Sequence, residues 1–305
     1  MKKTFLPVIA LAAAAGLSSC SNNENKQDII YSHPFNSTYA VVTDTRDGSK
    51  TVCAGVNLTM TDNWTTLKAG LAISGLKIGG SVYPMITIEK APIKIYDTTS
   101  VGEILGDGLA FLATGARASV SDLKLYWSDR PDLSLSLNKI FPEQIYFPVL
   151  SYSFTLDNNY KIAGGITPFA MGGVTEVTAP GGAGEPYKSE EALYIVTLDF
   201  SKNLGNLIIR NVSFAQSMPR LNMEFADIPF TVDSDAVVTL ASDSFIPSSG
   251  GVPQENYPIS QFSATITPGD HSSTVDFVCS VHGAPFKVHA VIDGKSYKGF
   301  LNTQD

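Results

Sequence analysis

The chain has 305 residues, 21 Lys and Arg against 29 Asp and Glu, and a formal net charge of −8 at pH 7. An acidic balance of this size excludes the basic footprint that nucleic acid or anionic headgroups require, and it favours solubility. The length suggests two domains.

Residues 1–19 begin Met-Lys-Lys, run apolar from Phe5 to Ala15 and end in small residues ahead of Cys20. A basic start, a short apolar core and small residues before a cysteine resemble the export signal of bacterial lipoproteins, which predicts cleavage before Cys20 and acylation there. The apolar run is too short and too rich in Ala for a membrane span, which needs roughly 20 apolar residues. The expected arrangement is therefore a body held to the outer membrane by lipid on Cys20, at the cell surface or facing the periplasm. Residues 20–37 read as the lipidated tether, since Ser21 to Ile29 is polar and without period. Without residues 1–19 the chain keeps 19 basic and 29 acidic residues, a formal charge of −10.

The remainder divides into two halves, 38–170 and 171–305, each predicted to be an antiparallel β-barrel, with two β-sandwich domains as the alternative. A shift of 136 positions lays Tyr39–Ile78 on Thr175–Phe214 without a gap, placing Val41 on Val177, Leu71 on Leu207 and Ile73 on Ile209. Tyr83–Glu89 then aligns with Met218–Glu224, Pro92 with Pro229, and Ser153–Lys161 with His289–Lys298, sharing an Asp and a Tyr-Lys pair. Such self-similarity points to an internal duplication. Apolar residues alternate with polar ones, the signature of strands with one buried face. The alternation changes parity at Gly75 and again at Asn211, predicting a bulge or corner at each. Ser100 with Glu103 forms a capping box that predicts a short helical turn before Gly106. The pairs Gly164-Gly165, Gly172-Gly173 and Gly181-Gly182 are expected to be turns or hinges.

Few residues carry recognisable chemistry. His33, His271, His282 and His289 form no metal spacing, so neither metal nor cofactor is expected. Glu190-Glu191 is the one adjacent carboxylate pair, and neighbours on a strand point apart. Cys53 and Cys279 are expected to be free thiols, buried in separate halves. The rings are more informative. Tyr126, Trp127, Tyr146, Tyr152 and Tyr160 gather late in the first half and are candidate ligand contacts, because exposed rings stack on sugars or line an apolar pocket. Asp97-Thr98-Thr99 marks Thr98 as a candidate O-glycosylation site.

The lipobox, the short polar tether, the strands around Leu71-Ala72-Ile73 and Leu207-Ile208-Ile209, and the Met223-Glu224-Phe225 pattern resemble Bacteroidota lipoproteins with calycin-like, lipocalin-like barrel domains, here in tandem. The resemblance implies no catalytic residues. The expected function is non-enzymatic: binding or accessory work at the outer membrane, with the membrane itself and a small apolar ligand or glycan as partners. A fimbrillin-type structural subunit cut at Arg46 is the first alternative, and a glycan or lipid hydrolase the second.

Overall fold

The computed structural model describes residues 28–63, 65–96, 101–128, 149–182, 184–269 and 272–293. The expectations for residues 1–19, Cys20, Thr98 and Tyr146 lie outside these residues.

The first barrel uses β1 (Ile30–Asp44), β2 (Lys50–Asn63), β3 (Lys68–Ser74), a small hairpin β4 (Lys77–Ile78) and β5 (Ser81–Val82), β6 (Ile86–Tyr96), β7 (Val101–Leu112), β8 (Arg117–Ser128), β9 (Val149–Leu156) and β10 (Tyr160–Ile166). Eight of these strands pair antiparallel with their chain neighbours, and β10 returns to pair with β1, which closes the sheet. Chain neighbours thus meet all round, and the closed sheet has no edge.

The second barrel begins two residues later with β11 (Phe169–Thr178), followed by β12 (Tyr187–Ser189), β13 (Leu193–Asp199), β14 (Leu204–Val212), β15 (Leu221–Val232), β16 (Val238–Phe245), β17 (Ser248–Ser249), β18 (Val252–Pro253), β19 (Ile259–Ile266), β20 (Ser273–Val281) and β21 (Ala284–Asp293). Its closed circuit runs β11-β13-β14-β15-β16-β19-β20-β21, with β12 and the β17–β18 hairpin added at the side. The sandwich alternative fails in both halves because the first strand of each barrel bonds to the last.

Strand-by-strand register corrects the alignment read from sequence. Phe35 faces Leu58 across β1–β2 as Met171 faces Tyr194, but Ala40 faces Cys53 as Thr175 faces Ser189. Between those points β1 carries one residue more than β11. Val42, not Val41, is therefore the counterpart of Val177, and a one-residue slip turns a side chain to the opposite face. On the next pair of strands Ile73 faces Ile86 and Ile209 faces Met223, so Ile86 occupies the place of Met223, two residues from the expected match. The final match fails more widely. The strand beside β1 is β10 and the strand beside β11 is β21, so Ser153–Leu156 in β9 corresponds to part of β20 and not to His289–Ile292.

The bulges repeat more faithfully than the residues. Gly75 (φ 88°) and Asn211 (φ 58°) both take the left-handed backbone expected at the parity change. So do Lys90 (φ 62°) and Asp227 (φ 55°), at equivalent breaks in the β3–β6 and β14–β15 ladders. Two other local expectations are overturned. The helical turn after Ser100 does not form: from Val101 the backbone pairs with β6 on one side and β8 on the other, and a cap followed by Gly102, Gly106 and Gly108 cannot compete with ladder bonds on both edges. The pairs Gly164-Gly165 and Gly172-Gly173 lie within β10 and β11, while Gly181-Gly182 does form a turn.

Both interiors are filled. Leu58, Met60, Leu71, Ile73, Ile86, Ile104, Leu125 and Phe154 occupy the first, and Phe214, Phe225, Phe262 and Phe277 dominate the second. In the second, Phe225 meets Phe245, Phe262 and Phe277 edge-on at centroid distances of 5.0, 5.4 and 5.3 Å. The buried hydroxyls of Thr175 and Tyr194 satisfy each other at 2.8 Å. Cys53 and Cys279 are free and buried, one in each core.

Tyr39 joins the barrels. Because of the extra residue in β1 it points out of the first barrel and into the mouth of the second, where it is fully buried. Its ring lies 5.1 Å from Phe200 and 6.1 Å from Phe169, and its hydroxyl donates to the Ala236 carbonyl at 2.6 Å. Tyr39→Phe leaves that carbonyl unpaired and is expected to cost ~1–3 kcal/mol. Tyr39→Ala also leaves a cavity and is expected to cost ~3–5 kcal/mol. Urea unfolding followed by tyrosine and tryptophan emission measures both, and the Ala variant should split one transition into two.

Alkaline pH provides a second check on the cores. Burial pushes the Cys279 thiol up to about 12 and raises Tyr39, Tyr152 and Tyr194 in the same direction. In the unfolded chain these groups ionise near their ordinary values, about 8.5 for Cys and 10 for Tyr. The folded state thus holds protons that the unfolded state releases, so this stabilisation is complete below about pH 8.5 and is lost as pH rises toward 12. The urea midpoint is expected to fall steadily above about pH 9, and Cys279→Ala should flatten the first part of that decline.

Candidate functional site

On β8, side chains alternate between the faces of the wall: Leu123, Leu125 and Trp127 pack toward the first core, while Lys124 and Tyr126 face outward. Cross-strand pairing sets Lys124 beside Ser153 and Tyr126 beside Ser151, and Ser153 beside Ala163 on β10. Small side chains on β9 and β10 leave this outer face recessed.

Two loops of the second barrel cover the recess. The turn between β15 and β16 is shaped by the Asp233 carboxylate, which accepts from the backbone N–H of Asp235 at 2.8 Å and of Val237 at 2.9 Å. That turn offers Ala236 to Tyr39 and carries Asp235 and Val237 to the recess. The loop after β19 lays Pro268 on Gly165, where an added Cβ would come within 3.1 Å of the proline ring. Gly269 presses on Ser151 so closely that any side chain there would overlap it.

Between these walls lies a groove of about 560 Å³, lined by Lys124, Tyr126, Ser151, Ser153, Asp235, Thr267 and Pro268 among others. Among the described residues neither the Lys124 ammonium nor the Asp235 carboxylate has an ion-pair partner. The groove therefore presents one cation, one anion and three hydroxyls beside an aromatic edge. That set can exchange hydrogen bonds with a ligand rich in hydroxyl groups. Among the described residues that line the groove there is a single carboxylate and no histidine.

The five expected rings do not form one cluster. Tyr126 and Tyr152 both border the groove and are largely buried, at 7% and 3% exposure, Tyr126 from the outer face of β8 and Tyr152 from within the first core. Tyr152 crosses over Gly164, and its hydroxyl donates to the Tyr39 carbonyl at 3.1 Å. Burial raises its pKa. Trp127 packs against the first core from the other face of β8. Tyr160 sits at a barrel rim, where its hydroxyl accepts from Arg46 at 2.9 Å under a guanidinium 5.3 Å from the ring. Arg46 also clamps Asp44, holding that carboxyl down at about 2. Tyr146 lies outside the described residues.

The charged and hydroxyl groups of the groove were not singled out by sequence. Lys124 carries a weak signal, an outward position between buried leucines, but Asp235 and Thr267 come from a different barrel and carry none. The other polar candidates lie apart. His33 pairs with the buried Asp62 at 2.9 Å, and His289 pairs with Asp276 at 2.7 Å on the outer wall of the second barrel. His282 occupies the β20–β21 turn, Glu191 pairs with Arg220, and no three potential metal ligands converge among the described residues.

Tyr152 needs the missing side chain at Gly164, because an added Cβ would overlap both its ring and the Tyr39 carbonyl. Gly164→Ala is expected to cost ~1–3 kcal/mol. Combining it with Tyr152→Leu should recover part of the loss in thermal denaturation.

The sequence matches no family profile and no curated protein. Among solved structures, one similar chain is a candidate outer membrane protein of Bacteroides fragilis, 12% identical, with 86% of this chain and 97% of that chain covered at a TM-score of 0.31.

Proposed function

We propose that this protein is a lipid-anchored, non-enzymatic binding protein of the outer membrane, built on two calycin-like barrels, and that it takes a glycan in the groove between them. One observation carries the reading. Buried apolar side chains pack both barrel interiors, Tyr39 of the first entering the second, whereas the junction holds a recess whose Lys124 and Asp235 have no ion-pair partner among the described residues. Ligand sites favour domain junctions, where few but well-placed polar groups fix orientation. The small apolar ligand considered at the outset finds less support, because it would cover Lys124 and Asp235 without giving either a partner. A hydrolase would need a second carboxylate or a Ser/His pair facing Asp235, and the described residues of the groove supply neither.

In this reading Lys124 donates to sugar oxygens, Asp235 accepts from vicinal hydroxyls, and Ser151, Ser153 and Thr267 complete the contacts. Titration calorimetry with maltotriose and chitotriose tests it. Lys124→Ala and Asp235→Ala are each expected to weaken binding about tenfold, equivalent to about 1.4 kcal/mol. Trp127→Phe, on the core-facing side of β8, should leave affinity unchanged. Affinity that is indifferent to both groove substitutions would end the proposal.

A further inference from the structure

One end of the first barrel carries an apolar rim that neither the core nor the groove uses. Ile29, Ile30, Tyr31 and Leu67 are 53%, 57%, 46% and 50% exposed. They are neighbours across the β2–β3 turn. The Ile29 backbone N–H donates to the Thr65 hydroxyl at 3.2 Å, and Ile30 and Tyr31 pair with Asn63 and Asp62. Asn63 shapes the turn by accepting from the backbone N–H of Thr65 and of Thr66, both at 3.0 Å, which leaves Leu67 outermost with a left-handed backbone. Beyond Phe35, toward the N-terminus, β1 pairs with β2 past the point where β10 ends opposite Thr38, so this corner projects from the barrel.

We infer that this rim is the face of the protein that rests on the lipid bilayer. The inference builds on acylation of Cys20. Only eight residues, Ser21 to Asp28, separate that cysteine from Ile29. Fully extended they span at most about 30 Å, so an anchored chain holds this corner close to the membrane at all times. The chemistry of the rim suits an interface. Two isoleucines and a leucine enter the acyl boundary, and Tyr31 places an amphipathic ring at headgroup level. Asp28 and Lys68 flank it with opposite charges, so docking depends on apolar insertion and not on anionic lipid.

The test uses the acylated full-length protein reconstituted in phosphatidylethanolamine and phosphatidylcholine vesicles. Single-cysteine labelling with an environment-sensitive dye is made at Ile30→Cys, Leu67→Cys and, as control, Val252→Cys, which is 61% exposed on the β17–β18 hairpin of the second barrel. Cys53 and Cys279 are buried, and labelling of the unsubstituted protein measures their background. The expected result is a blue shift with quenching by spin-labelled lipid at positions 30 and 67, absent at 252 and unchanged in high salt. Protein that floats with the vesicles while all three positions report water overturns the docking face and leaves the anchor intact. Protein that fails to float overturns the anchor, and the docking face with it.

Discussion

The structure turns on one side chain that belongs to two barrels at once. The backbone of Tyr39 sits in the wall of the first barrel, where its carbonyl accepts from Tyr152 and its strand pairs with β10. Its ring belongs to the second, seated among Phe169 and Phe200 with its hydroxyl on Ala236. A fully buried phenol demands a partner, and the Ala236 carbonyl exists in that place only because Asp233 folds the β15–β16 turn. The same turn carries Asp235 into the groove that Lys124 also lines. The joint between the barrels and one side of the groove beside it are thus built from the same turn.

This arrangement explains why parts of the molecule were legible in the sequence and others were not. Bulges were legible because they depend on local backbone chemistry: Gly75 and Asn211 each interrupt an alternation that can be counted. Barrel class and the doubled plan followed from short alternating strands and a coarse internal match. Register was not legible. The extra residue in β1 reverses the faces of Tyr39 and Val41, and a match between alternating segments scores almost as well when displaced by one or two positions. The agreement of Asp157 with Asp293 misled for the same reason, because similarity of composition carries no information about which strands are neighbours.

The candidate site was legible by half. Aromatic clustering points to β8 and β9, and Tyr126 and Tyr152 border the groove. It does not separate rings on the core side of the wall, such as Trp127 and Tyr152, from an outward ring such as Tyr126, because strand parity assigns those roles and one position decides it. The decisive polar groups were out of reach for another reason. Lys124 and Asp235 are far apart in the chain, each is an ordinary surface residue in its own barrel, and only the packing of one barrel on the other sets them across a common space.

The Tyr39 contact also carries a consequence for how the chain matures. Its hydroxyl bonds a carbonyl 197 positions later, and its carbonyl bonds a hydroxyl 113 positions later. Synthesis proceeds from the N-terminus, so β1 emerges long before either partner exists. Until β10 arrives it is an open-edged strand, and until the β15–β16 turn forms it displays an unburied tyrosine and valine. Contacts of such sequence separation slow folding and leave sticky surface exposed meanwhile. A truncation that ends after Ile166 removes the residues that cover Tyr39.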